Sequence, residues 1–141
     1  MQTLAVQFLD QGLHRVIFNA VPIPMFVVDE DVCILDYNTG AARLLGQDKP
    51  NFVLHRGGEV LRCVHASDVR EGCGRSPACL NCVLRKSVGA AFKGKPVVRQ
   101  PARMQLLIDG KRILLDLKVS CHPFSYEQHA FALLMLEGLD N

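Results

Sequence analysis

The chain carries almost no surplus charge and has no long apolar run. Its 141 residues include 16 Lys and Arg against 14 Asp and Glu, a net charge of +2. A nucleic-acid-binding domain usually has a basic surplus on one face, so this balance argues against a nucleic-acid partner. No apolar run approaches the ~20 residues that span a bilayer, and residues 1–10 do not resemble a signal peptide. We therefore predict a cytoplasmic protein without a membrane partner.

Motifs of the common enzyme classes are missing as well. The sequence has no phosphate-binding loop, no G-x-S-x-G elbow and no H-E-x-x-H helix. The acidic run Asp29-Glu-Asp31 is interpreted as a turn rather than a catalytic pair. The best enzyme alternative is a thiol oxidoreductase that uses Cys79 and Cys82, but the parallel βαβ framework of thioredoxins is not visible. We expect a protein that is not an enzyme.

The length and the hydrophobic fraction of 49% predict one domain with a substantial core. Apolar residues recur every three or four positions over residues 3–20, which predicts an amphipathic helix ended by Val21-Pro-Ile-Pro24. Two short strands are predicted at 25–28 and from 32, with a tight acidic turn between them. A short helix over 40–45 follows, with Asn38 and Thr39 as candidate N-caps.

The second half of the chain is predicted to contain a helix and three long strands. After a loop over 47–77, Ser76 and Pro77 predict a helix over 77–93, with Cys79, Cys82 and Lys86 on one face. Strands are predicted over 96–108, 111–122 and 129–137, joined by an Asp109-Gly110 turn and by residues 123–127. The predicted fold class is α+β, a five-stranded antiparallel sheet with helices on one face and an N-terminal amphipathic helix.

Six cysteines are the unusual feature of this composition. Four of them, Cys63, Cys73, Cys79 and Cys82, form a C-x9-C-x5-C-x2-C segment. In a reducing compartment, clustered thiols bind metal or perform redox chemistry more often than they form structural disulfides.

Four thiolates suit a zinc ion or an iron–sulfur cluster, and His65 could replace one of them as a ligand. Gly72 and Gly74 free the backbone around Cys73 to wrap a centre. Nearby basic residues would offset part of the thiolate charge. These are Arg62, Arg70, Arg75, Arg85 and Lys86. Two alternatives stay open: redox thiols or disulfides such as Cys63–Cys73 or Cys79–Cys82, and inert thiols that pack as small apolar side chains.

The remaining cysteines and three of the histidines have simpler interpretations. Cys33 and Cys121 fall on predicted strands and are expected to be ordinary core or sheet residues. His122 and His129 are expected at the surface, flanking one turn, and His14 on the N-terminal helix is expected to face solvent or a dimer contact.

Several segments in order resemble a PAS domain. Residues 25–38, Met-Phe-Val-Val-Asp-Glu-Asp-Val-Cys-Ile-Leu-Asp-Tyr-Asn, followed by Ala41-Ala-Arg-Leu-Leu-Gly46, are similar to the opening of that family, and 115–124 and 130–137 resemble its last two strands. The resemblance implies a sensory or protein–protein signalling module, usually a dimer with the N-terminal helix in the interface. The interface residues on that helix would be Leu4, Phe8, Leu13, Val16 and Ile17. The implied organisation is a dimerisation helix over 1–20 and a PAS domain over 21–141 with a cysteine-rich insert at about 55–85.

The cysteine segment resembles one found in some PAS modules of bacterial sensor kinases. The sequence therefore predicts a sensory module that detects redox state, oxygen or a metal-linked signal through a four-cysteine centre and relays it through a dimer interface. A histidine kinase or another effector, in the same longer protein or on another chain, would receive the signal. The alternative is a metal-free PAS module that binds a small ligand or a partner. Haem and flavin are not expected, because the C-x-x-C-H and Asn-Cys-Arg-Phe motifs are missing.

Overall fold

The computed structural model describes residues 12–45, 56, 63, 65, 70–75, 79, 81–108 and 110–138. Three helices and five strands lie in this part of the chain. They are α1 (Leu13–Ala20), β1 (Met25–Val28), β2 (Ile34–Tyr37), α2 (Thr39–Leu45), α3 (Val83–Phe92), β3 (Val97–Ile108), β4 (Lys111–Tyr126) and β5 (His129–Gly138). No helix among these is long and apolar enough to cross a membrane.

The five strands form one antiparallel sheet in the order β2-β1-β5-β4-β3. The central strand β5 pairs with β1 on one side and β4 on the other, so the first and last strands of the chain are neighbours. This arrangement confirms the predicted α+β class with a five-stranded antiparallel sheet.

Alternating side chains give the sheet two different faces. Phe26, Leu134 and Cys121 point to the face that we call the core face, where the buried residues of α3 pack against the sheet. Val27 and Leu133, their neighbours in sequence, point to the opposite face, which we call the outer face, and are only half-buried. The period of two in a strand produces this division.

Asn38 joins the start of the sheet to both flanking helices. Its Oδ1 accepts hydrogen bonds from the backbone N–H groups of Met25 (3.0 Å) and Ala41 (2.8 Å), which confirms it as the N-cap of α2. Its Nδ2 donates to the carbonyl oxygens of Phe18, at the end of α1, and Ile23, at 3.0 Å each. The side chain is buried, and its polar atoms have partners, as a buried amide requires.

The first helix is confirmed over Leu13–Ala20, and it ends at Val21 as expected. The predicted helical residues 3–11, with Leu4 and Phe8, lie outside the described residues.

Three predicted boundaries were wrong, and local backbone geometry explains two of them. The strand expected from Val32 begins at Ile34, because Val32 has a φ of 61° and is not extended. The helix expected over 77–93 begins at Val83, because Cys82 has an extended backbone (φ −69°, ψ 121°). Cys79 therefore lies outside the helix, while Ser76 and Pro77 are outside the described residues.

The third correction concerns residues 123–127, which were expected to connect two strands. Strand β4 continues to Tyr126, and the turn is made by Glu127 and Gln128, both with positive φ. Proline is tolerated at position 123 because the pairing of β4 with β3 ends at Cys121. Beyond that residue, one edge of β4 has no backbone hydrogen bonds to β3 that a proline would interrupt.

Candidate functional site: a cysteine-lined cavity

A cavity of about 410 Å³ lies at the core face, between the start of α3 and strand β3. Leu84 of α3 and Ala102 and Met104 of β3 form part of its apolar wall. The cysteine and histidine side chains that line it are Cys63, Cys73, Cys79, Cys82 and His65. The structure thus brings together all five residues of the predicted site.

Each cysteine reaches the cavity by a different local structure. Cys63 forms an isolated antiparallel bridge with Leu106, on the edge strand β3. Cys73 lies in a turn between Gly72 (φ 89°) and Gly74 (φ 88°), which agrees with the flexible backbone expected there. Cys82 immediately precedes α3, and its N–H donates to the carbonyl oxygen of Cys79 at 3.2 Å, forming one turn.

Burial raises the thiol pKa values of two of these cysteines. For Cys63 and Cys82, desolvation is the largest cause, and it is partly opposed by nearby backbone N–H groups. The N–H of His65 favours the thiolate of Cys63, and those at the start of α3 favour the thiolate of Cys82, although no capping hydrogen bond forms there. The other cysteines of the site also raise both pKa values, because thiolates close together repel each other.

Arg85 is a cationic side chain that contacts one of the cysteines. Its Nη2 donates to Cys73, at 2.9 Å to the carbonyl oxygen and 3.3 Å to Sγ. The guanidinium lies against Gly74, where a Cβ would overlap it. Its Nε is buried and has no hydrogen-bond acceptor within the described part of the chain, a situation that costs about 1–3 kcal/mol. Lys86, expected on the cysteine face, does not line the cavity.

Asp31, in the β1–β2 turn, is the common partner of three arginines. It accepts hydrogen bonds from Arg56 (2.9 Å), Arg75 (2.9 Å) and Arg85 (2.9 Å). Desolvation would raise the pKa of Asp31, but the three guanidinium groups outweigh it and hold the pKa far below its usual range. The turn assigned to Asp29-Glu-Asp31 is confirmed, and it also anchors α3 and the cysteine segment.

The four thiols share a cavity but are not arranged as ligands of one ion. Within the described residues, no group of three or more His, Cys, Asp or Glu side chains has a geometry that could hold a metal ion. All six cysteines lie in the described part of the chain, and none of them forms a disulfide. The donor set itself, four thiols and one imidazole, fits zinc or iron–sulfur chemistry.

The remaining predicted residues lie away from the cavity. Cys121 is buried in β4, as expected, and burial raises its pKa to about 11. Cys33 lies just before β2 and forms a bridge with Arg56. His14, His122 and His129 are exposed, as predicted. His129 directly follows the Glu127–Gln128 turn, as expected, whereas His122 lies within β4.

A second cavity, of about 550 Å³, lies between α1 and the outer face of the sheet. Phe18 of α1, Val27, Leu133 and Phe124 contribute to its lining. The two large exposed apolar side chains of α1 are Val16 and Ile17, with 54% and 55% of their surface accessible. Leu13 is half-buried.

Sequence reasoning missed the Arg85–Asp31 contact, although both residues were noted separately. They lie 54 positions apart. Arg85 was counted as one of five basic residues near the cysteines, and Asp31 was interpreted as a turn residue. The glycine after Cys73 was the available signal, because its missing side chain leaves room for Arg85.

A family model and several solved structures, all described as PAS domains, match this chain. Residues 12–78 match the family model described as PAS domain. The chain is similar to the PAS domain of nitrogen regulation protein NR(II) from Vibrio parahaemolyticus, with 15% identity, a TM-score of 0.63 and coverage of 92% of this chain and 100% of that chain. No curated protein sequence matches significantly.

Two further solved structures show the same fold. The PAS domain of a protein from Colwellia psychrerythraea is 16% identical, with a TM-score of 0.59 and coverage of 90% of this chain and 94% of that chain. A PAS domain from a two-component sensor histidine kinase is 7% identical, with a TM-score of 0.58 and coverage of 93% and 97%. Residues 12–78 thus match the PAS family in sequence, and the chain shares the fold of these PAS domains.

Proposed function

We propose that this PAS domain is a sensory module whose signal enters at the four cysteines, which bind a thiolate-ligated metal centre. The centre would be zinc or an iron–sulfur cluster, held by Cys63, Cys73, Cys79 and Cys82, with His65 as a possible substitute. The single observation that carries the proposal is the shared cavity, which collects thiols from separate segments of the chain. Four cysteines that were only inert packing residues would not need to line one space beside a partly buried guanidinium group.

Metal binding would have to draw the thiols closer together than they lie in the described structure. That movement is the proposed source of the signal, because Cys82 immediately precedes α3 and Cys63 is paired with β3. A bound centre would therefore change how α3 and the edge of the sheet are held. An iron–sulfur centre would make the module responsive to oxygen or redox state, whereas zinc would stabilise the segment.

The proposed output is a change at a homodimer interface formed by α1, passed to a histidine kinase or another signalling effector. Val16 and Ile17 support this interface because they are exposed apolar residues on the helix next to the outer-face cavity. The kinase context is suggested by the solved relative from a two-component sensor histidine kinase.

Elemental analysis and absorption spectroscopy of the anaerobically purified chain test the metal centre. A visible band with bound iron would support an iron–sulfur cluster, and a colourless protein with one zinc would support a zinc site. Cys73→Ser and Cys79→Ser should lose the metal, while the control Cys33→Ser, which lies off the cavity, should retain it. A metal-free wild type with reduced thiols would refute the centre and favour a metal-free module that binds a small ligand beside Leu84 and Met104.

A further inference from the structure

We propose that Arg85 couples the four-cysteine site to the β1–β2 turn, because a single guanidinium binds Cys73 and Asp31 at the same time. This inference rests on the proposed metal centre. If the metal centre forms, Arg85 acts as a positioning residue. The free energy of metal binding then depends on the conformation of the β1–β2 turn.

The contact geometry carries the first step. Nη2 of Arg85 donates to Cys73, and Nη1 donates to Oδ1 of Asp31 at 2.9 Å. The guanidinium group is planar and rigid, so a displacement at one nitrogen moves the other. Cys73 cannot move toward a metal without changing the position from which Arg85 holds Asp31.

Charge carries the second step. Arg56, Arg75 and Arg85 all pair with Asp31, so three guanidinium groups share this one carboxylate. A centre of four thiolates around a doubly charged metal core is itself an anion. Filling the site therefore introduces the negative charge that this cluster can neutralise, and Arg85 is the member that contacts both groups. The buried Nε–H of Arg85 binds neither Cys73 nor Asp31 and remains as a further hydrogen-bond donor.

The turn itself is a strained element, which makes it sensitive to its contacts. Val32, next to Asp31, has a φ of 61°, a backbone region that β-branched residues rarely occupy. Its side chain is buried and lines the cysteine cavity. The turn leads into β2, an edge strand of the sheet. Strain of this kind persists only when surrounding contacts hold it, and the arginine cluster is one such set of contacts.

Competition titration with Zn²⁺ tests the coupling on the full chain, because four thiolates bind zinc whether the native centre is zinc or iron–sulfur. Arg85→Gln should weaken zinc binding by about 10–100-fold, the range typical of residues that support metal ligands. Asp31→Asn should cause a smaller loss, and the double variant should bind no more weakly than Arg85→Gln alone. The control Arg15→Gln removes another arginine–aspartate pair, with Asp36, and should leave the affinity unchanged.

Hydrogen exchange supplies a measurement that would not change if Arg85 had a purely structural role. The N–H groups of Asp31 and Cys33 both donate to Oδ1 of Asp29 at 2.9 Å. Zinc should slow their exchange in the wild type and leave it unchanged in Arg85→Gln. If Arg85→Gln does not fold, Arg85→Lys replaces it, since lysine keeps the charge without the fork that joins two partners.

The outcomes separate the two proposals. A wild type that binds neither zinc nor iron overturns the proposed metal centre. Zinc binding by the wild type and Arg85→Gln with equal affinity overturns the coupling alone. Additive losses for Arg85→Gln and Asp31→Asn, or a turn that responds to zinc without Arg85, also overturn it.

Discussion

The two faces of the sheet differ in what covers them, although the same strands supply both. Leu134 is buried under the helices on the core face, while Leu133, its neighbour, lies half-buried on the outer face beside α1. The core face also contains the cysteine cavity, which Arg85 helps to line. The comparison shows that one strand can serve a packed core and a more open apolar surface. The proposed function would place chemical detection on the core face and partner contact on the outer side.

Shortening one leucine on each face should produce the largest difference. Leu134→Ala should lower the free energy of unfolding by about 2–5 kcal/mol, because it leaves a cavity in the core. Leu133→Ala should cost about 1 kcal/mol, since part of that side chain is already solvated. Urea unfolding measures both, and equal losses would contradict the division into faces.

Adding a methyl group at two glycines tests the Arg85 contact on the core face. Gly74 and Gly94 both have positive φ, so alanine at either position should cost about 1–2 kcal/mol of backbone strain. At Gly74 the new Cβ also meets Arg85, which must give up its contacts, whereas at Gly94 it meets open space. Gly74→Ala should therefore be less stable than Gly94→Ala by about another 1–3 kcal/mol in urea unfolding. Similar values for the two variants would show that Arg85 moves without loss.

A charge on α1 tests the role assigned to the outer side of the molecule. Ile17→Glu should convert a dimer into a monomer in sedimentation analysis, while the monomer's free energy of unfolding changes by about 0.5 kcal/mol or less, since Ile17 is exposed. Val98→Glu is the matched control, an exposed apolar residue on the edge strand β3. A wild-type monomer, or a dimer that survives Ile17→Glu, would remove α1 from the interface.

Lowering the pH should weaken the cluster of Asp31 and its three arginines, and this should be the smallest of the four predicted effects. Since the folded pKa of Asp31 lies below its unfolded value of about 3.9, its contribution is fully present above that pH and is lost as the pH falls further. Water screens the pairs, because 38% of the Asp31 side chain is exposed, so the loss should be modest. Unfolding measured between about pH 5 and 2 should show a steeper decline for the wild type than for Asp31→Asn. Parallel curves would mean that the arginines do not stabilise the folded carboxylate.

The sequence predicted those parts of the fold that depend on local patterns. Alternating apolar residues located the strands, and Asn38 marked the start of α2, because both signals lie within a few residues. The start of α3 was missed, since Ser76 and Pro77 offered a plausible cap while the extended backbone at Cys82 depends on how the cysteine segment packs. The long β4 was missed because Pro123 normally interrupts a strand, and its tolerance depends on where β3 ends.

The sequence predicted which cysteines form the candidate site but not which side chains surround them. Spacing alone grouped the four cysteines, and the flanking glycines indicated a tight turn at Cys73. The contact of Arg85 with Asp31 has no local pattern, because it joins a turn near the start of the chain to a helix in its second half. Such long-range ion pairs follow from the topology of the sheet rather than from residue spacing.

Native mass spectrometry of the anaerobically purified chain tests the central claim most directly. The wild type should retain the mass of one zinc ion or one iron–sulfur cluster per chain, and Cys33→Ser should retain it too. Cys73→Ser should appear at the mass of the bare polypeptide. A wild type that carries no metal, with Cys63, Cys73, Cys79 and Cys82 all reduced, would contradict the account.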